Sequence, residues 1–125
     1  MSHISVMKIA FTNRDLLLQA LRELGYDITE GEDLSVSDGV RSAKVDFLVN
    51  IPESNPIGFR KTKAGWQGTA DWFRVLLNRK KFENALKQQY ALLSVRQSLQ
   101  AQGFTVAEES RNEKNEIRLV LRRVG

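Results

Sequence analysis

The 125-residue chain contains no cysteine, a single histidine (His3) and two prolines. Without a thiol there is no disulfide, no thiolate nucleophile, no zinc finger and no iron–sulfur ligation. The lack of cysteine also suits a reducing compartment. One histidine near a chain end leaves too few parts for a Ser-His-Asp machine or a multi-histidine metal site. No run approaches the ~18 apolar residues of a membrane span. The opening residues, Met1 to Lys8, show no basic region followed by a long apolar stretch, so no secretory signal is expected and the cytoplasm is the plain assignment.

What is present is ordinary globular material. Apolar residues make up 42% and charged residues 27%, enough for one real core in a single domain spanning 1–125. The net charge of +4 is unevenly spread. Residues 27–53 hold seven acids and two bases, residues 54–90 eight bases and two acids, and residues 111–123 five bases and two acids. Either the surface is electrostatically two-faced, or neighbouring elements of opposite sign complement each other in the fold.

Ile4–Phe11 suits a first strand with imperfect alternation. Asn13 reads as a helix N-cap with Asp15 in the first turn, and Leu17, Ala20, Leu21 and Leu24 follow at helical spacing. Gly25 closes this helix as a left-handed residue, with Tyr26 placed for the accompanying apolar contact. Asp38-Gly39 marks a tight turn. Ala43, Val45, Phe47, Val49 and Ile51 alternate with Lys44, Asp46 and Asn50, the cleanest strand of the chain. Strands are expected over 57–63 and 66–73, a long helix over 79–102 with Ala85, Leu86, Gln89, Leu92, Leu93, Val95 and Leu99 as its apolar stripe, and closing strands at 104–106 and 117–121 around a polar loop at 109–116. The order is β-α-β-β-β-β-α-β-β. It predicts an α+β two-layer sandwich, with two helices packed on one face of a mostly antiparallel sheet.

Familiar chemistry finds few footholds. The pairs Glu32-Asp33 and Glu108-Glu109 are sequence neighbours that point apart in a strand, so neither makes an acid–base couple. Gly58, Gly65 and Gly68 match no phosphate-loop spacing; within strands, Gly58 and Gly68 indicate bulges or close backbone packing. No catalytic, metal-binding or cofactor-binding residues are assigned, and the chain is not expected to be an enzyme. The bases form the candidate interaction surface: Arg60, Lys61 and Lys63 on a strand with Trp66 nearby, Arg79, Lys80 and Lys81 at the start of the long helix, and Arg118 and Arg122 outward on the last strand. Bases and aromatics on a sheet face can grip single-stranded nucleic acid, although the paired aromatics of the common RNA-binding sheet are missing. Asp71, between two tryptophans, and Tyr90, on the long helix, are candidate polar anchors, structural in role.

Several short segments occur in a recognisable order: Met1-Ser-His3, Leu24-Gly25, Ile57-Gly-Phe59, Ala70-Asp71, Gln89-Tyr-Ala91, Gly103-Phe-Thr-Val-Ala-Glu-Glu109 and Ile117-Arg-Leu-Val120. Together they resemble the hypothetical chloroplast reading frame 35 family, a domain of unknown function found in plastids, cyanobacteria and other bacteria. Residues 30–42 and 74–81 depart from its pattern. The resemblance implies no catalytic residues; it implies a ferredoxin-like protein or an AAA-type ATPase as candidate context, and the plastid stroma if the protein is organellar. The expectation is a small non-enzymatic interaction or accessory module with a protein partner. The alternative is a nucleic-acid-binding domain using segments 60–81 and 111–123. A homo-oligomer formed at a sheet edge is a further expectation.

Overall fold

The structure, a computed structural model, describes residues 3–124. Met1 and Ser2, with which the family resemblance opens, lie outside the described residues. The elements run β1 (Ile4–Val6), α1 (Arg14–Glu23), β2 (Asp27–Ser37), β3 (Ser42–Asn50), β4 (Ile57–Thr62), β5 (Gly65–Asp71), a short 3-10 turn (Trp72–Arg74), α2 (Arg79–Ala101), β6 (Phe104–Arg111) and β7 (Ile117–Arg123). The fold is α+β in the expected order. Its strands fall into two sheets, a five-stranded antiparallel sheet in the order β1-β5-β4-β3-β2 and a two-stranded β6–β7 ribbon. The chain divides into two compact units, residues 1–90 and 91–125, so α2 contributes its first half to one and its second half to the other.

In the first unit α1 forms because both of its ends are satisfied. The Asn13 side chain accepts the Leu16 N–H, and Asp15 lies in the first turn where the helix dipole favours an acid. At the other end Gly25 takes φ +94°, the Gly25 N–H donates to the Arg22 carbonyl, and the Tyr26 N–H donates to the Leu21 carbonyl. That pair of bonds is the Schellman arrangement. Leu17, Leu18 and Leu21 are buried, and the Arg14 guanidinium lies over the Phe47 and Trp66 rings of the sheet. Phe47 stacks on Phe59, with 5.2 Å between ring centroids. The first half of α2 joins this layer, where Phe82 meets Tyr26 edge-on and Tyr90 packs on Phe11.

The β2–β3 hairpin has a sharp bend. Glu30 pairs with Phe47 and Leu34 with Val45, so Gly31, Glu32 and Asp33 stand opposite Asp46 alone. Three residues against one forces a kink, and Asp33 takes the left-handed region at φ 57°. The β3–β4 ladder stops at the same place, covering only Phe47↔Phe59, Leu48↔Gly58 and Val49↔Ile57. Beyond the kink the hairpin leans over the sheet, and the Val36 and Val45 side chains occupy the space a Gly58 side chain would need. Gly68 is filled likewise, by the Met7 sulfur and the Phe59 ring. Close packing, not bulging, is therefore the reason for both glycines.

Several expectations are corrected at their edges. The first strand covers only Ile4–Val6, followed by an isolated bridge from Phe11 to Trp66. The strand expected over 66–73 ends at Asp71, where Trp72–Arg74 turns into a 3-10 helix. On α2 the buried positions are Phe82, Leu86, Gln89, Leu92 and Leu93, whereas Val95 is exposed. The polar residues Glu109, Ser110 and Arg111 continue β6 opposite Leu119, Arg118 and Ile117, because a ribbon edge open to water tolerates polar side chains.

In the second unit cross-strand pairing sorts the β6–β7 ribbon into two faces. One carries Phe104, Val106, Glu109, Arg111, Ile117, Leu119, Leu121 and Arg123, with Glu109 paired to Arg96 of α2. The other carries Thr105, Glu108, Ser110, Arg118, Val120 and Arg122. Alternation along β7 is as expected, but Leu121 remains partly exposed.

Candidate functional site

The basic residues singled out by sequence fall on β4 and the turn after it, on the start of α2, and on β7. Arg60 and Lys61, exposed on β4, line a shallow groove of about 450 Å³ with Glu32, Asp33 and Asp46. The Lys61 N–H donates to the Asp46 carboxylate at 3.0 Å. Here residues of the acidic segment and of the first basic segment line one groove, although no ion pair joins them among the described residues. Lys63 is exposed in the β4–β5 turn.

At the start of α2 the three bases divide. Arg79 is spent on structure: it pairs with Glu83 at 3.0 Å, donates to the Ser5 hydroxyl and the Val6 carbonyl, and covers the Trp72 ring at 4.6 Å. Asn78 explains why this helix tolerates bases in its first turn, since its side chain accepts the Lys81 N–H at 3.0 Å as an N-cap would. Lys80 and Lys81 are exposed and form no ion pair among the described residues. On β7, Arg118 and Arg122 are exposed and share the outer face of the ribbon.

The two candidate polar anchors both lie in the first unit. Tyr90 is half-buried, and its hydroxyl accepts the Asn13 N–H at 3.0 Å, tying α2 to the start of α1. Asp71 is more unusual. It ends β5 opposite Ile4, its side chain is fully buried, and among the described residues neither carboxylate oxygen has a hydrogen-bond partner. Its ion-pair neighbour among them is Arg74, with Nε 3.5 Å away.

Arg74 is the residue that sequence reasoning missed. Its guanidinium also lies beside Gly39 at the tip of the β2–β3 hairpin, 3.6 Å from where a side chain would begin. Its carbonyl accepts the Asn55 N–H and the Ser54 hydroxyl, and the Ser54 Oγ in turn accepts the Leu76 N–H at 2.7 Å. Arg74 thus gathers the hairpin tip, the end of β5 and the 51–56 loop. Its spacing of three from Asp71 was the available signal, but it becomes meaningful only once the strand is known to stop at Asp71.

Around this junction large apolar side chains stand in water. Val40, next to Gly39, is 92% exposed; Phe73, next to Arg74, is 76% exposed; Leu76, two residues on, is 65% exposed. Trp72 and Val75 turn inward instead, so the segment shows Phe73, Arg74 and Leu76 to solvent. Scattered single apolar residues need no explanation; these three lie on the two segments that meet at Arg74.

Two carboxylates near these elements have lowered pKa values. Glu30 is held down mainly by its hydrogen bond from Arg14, at 2.7 Å, with Arg22 adding at 3.2 Å. Asp38 is held down by backbone N–H bonds from Arg41 and Val40, which close the hairpin turn. A carboxylate whose pKa is lower when folded than when unfolded stabilises the fold above its ordinary value, and that contribution disappears as pH falls through the lowered value. Unfolding midpoints should therefore drop on acidification between roughly pH 5 and 3. The decline should be shallower for Glu30→Gln, measured by denaturant titration at each pH.

No group of three or more metal-ligating side chains occurs among the described residues, and no helix among them is long and apolar enough to cross a membrane. Residues 20–120 match the family described as protein of unknown function (DUF1257). The chain belongs to that family. No curated protein and no solved structure matches it. The DUF1257 match spans α1 from Ala20 onward through most of β7, and so takes in the kinked hairpin, Asp71, Arg74 and Tyr90.

Proposed function

We propose that this DUF1257 protein is a non-enzymatic interaction module that docks to another protein through the surface around Arg74. The supporting observation is the exposure of Val40, Phe73 and Leu76 on two segments that the Arg74 guanidinium holds together. Burying such side chains against a partner recovers about 25 cal/mol per Å² of apolar area. A cytoplasmic or stromal accessory role fits this reading. A ferredoxin-like protein and an AAA-type ATPase, the context implied by the family resemblance, are the first partners to try.

The test is capture of partners from native lysate by the tagged full chain and by Phe73→Ser/Leu76→Ser. Substitutions at such exposed positions should leave stability within about 0.5 kcal/mol. The expected outcome is a partner retained by the wild type and lost by the variant. Equal retention by both would remove the assignment to this surface.

A second reading, binding of single-stranded nucleic acid, is favoured by Arg118 and Arg122 on the outer face of the ribbon. It requires affinity for a single-stranded oligonucleotide that falls with salt and is reduced by Arg118→Ala/Arg122→Ala. No binding at ~50 mM salt, where phosphate contacts are strongest, would end it.

A further inference from the structure

Between the buried Asp71 and Glu83 the chain carries Arg74, Arg79, Lys80 and Lys81 and no acid. Two of these bases already have partners, Arg74 in Asp71 and Arg79 in Glu83. The unspent charge is that of Lys80 and Lys81, both exposed and a short distance along the chain from Phe73 and Leu76. The hairpin tip adds Val40 and the exposed Arg41. Acids that come near from other elements are few. Asp38 is engaged by its own turn, Glu83 by Arg79, and the exposed Glu53 precedes Ser54 in the neighbouring loop.

An apolar surface flanked by bases of one sign selects its partner twice, by burial of the apolar groups and by attraction of opposite charge. We propose that the surface formed by Val40, Arg41, Phe73, Leu76, Lys80 and Lys81 receives an acidic protein segment, one that places aliphatic or aromatic anchors on Phe73 and Leu76 and carboxylates against Lys80 and Lys81. This rests on the interaction reading above and names the chemistry of the partner. A protein segment is favoured over a nucleic acid because two of the three exposed apolar groups here, Val40 and Leu76, are aliphatic and stack no base, which leaves Phe73 as the one ring. It is favoured over an anionic lipid surface because the apolar groups sit on a bent hairpin tip and a 3-10 turn, not along one face of an amphipathic helix.

The experiment uses the full chain and a short synthetic peptide in which glutamates are interleaved with leucine and phenylalanine. A matched peptide carries glutamine for glutamate. The acidic peptide should bind at least about tenfold more tightly than the neutral one at ~50 mM salt, and its affinity should fall as salt screens the charges. Lys80→Glu/Lys81→Glu should weaken it about tenfold, Phe73→Ser/Leu76→Ser by a similar factor, and Glu53→Lys should strengthen it. Backbone amide shifts should move at 38–41 and 72–81. Equal affinity for the two peptides, no binding of either, or shifts confined to other segments would overturn the proposal. So would tighter binding of phosphatidylglycerol vesicles or of oligothymidine through the same residues.

The native partner separates this claim from the broader one. If capture from lysate is lost with Phe73→Ser/Leu76→Ser but unchanged with Lys80→Glu/Lys81→Glu, the acidic partner is excluded while the docking surface stands. If capture is unchanged in both, neither stands.

Discussion

Gly58→Ala should destabilise the protein by about 3 kcal/mol, at the upper end of what one added methyl costs in a packed core. The new carbon would lie 2.5 Å from the Val45 Cγ1 and 2.9 Å from the Val36 Cγ1. Valine is stiff about its first side-chain torsion, and both valines are buried on the two strands of one hairpin. Neither can swing away without lifting the hairpin from the sheet. Val45→Ala alone opens a cavity and should cost about 2 kcal/mol. Because it also removes the closest clashing atom, the double variant should be more stable than the sum of the two losses by at least about 1 kcal/mol. Denaturant midpoints for the four proteins, at unchanged slope, give this coupling directly. Strict additivity would mean that the hairpin does not rest on Gly58.

Arg74→Ala should cost about 2–3 kcal/mol, although the side chain it removes is more than half exposed. Most surface arginines could be truncated within about 0.5 kcal/mol. This one differs because, among the described residues, Asp71 is buried without a hydrogen bond and has no other charged neighbour in ion-pair range. Removing one member of a buried pair costs about 3–5 kcal/mol when both are enclosed, and the exposure of Arg74 lowers that figure. Asp71→Asn introduced into Arg74→Ala should recover part of the loss, since the stranded charge is gone. The same truncation frees the hairpin tip, so amide exchange at 38–41 should quicken relative to the rest of the first unit. A loss within 0.5 kcal/mol, or no recovery by Asp71→Asn, would show that Arg74 does not hold Asp71.

The elements themselves were legible because their signals are local. Asn13, Gly25 and the spacing of Leu17, Ala20 and Leu21 define α1 by capping and periodicity alone, and Val45, Phe47 and Val49 define β3 by alternation. At Gly58 and Gly68 the sequence left bulging and close approach open; the close approach is what holds, and what approaches them was not legible. The kink was not legible, because a three-against-one bulge depends on which residues of β2 and β3 pair. Trp72 and Phe73 misled for a related reason. Aromatic residues after a strand look like more strand, and only the pairing of Asp71 with Ile4 shows where β5 stops. The junction at Arg74 was invisible from sequence because it joins residues 39, 55, 71 and 74 across three turns. The two-part charge pattern was visible, and its meaning is now divided. Arg60 and Lys61 face the acids of the bulge, whereas Lys80 and Lys81 remain available.

Amide hydrogen exchange of the full chain, with and without the partner recovered from lysate, tests the docking surface most directly. Added protection should fall on 38–41 and 72–81, where Val40, Phe73 and Leu76 leave water on binding. Protection confined to 60–63 or to 117–123, with 72–81 exchanging as fast as in the free chain, would contradict it.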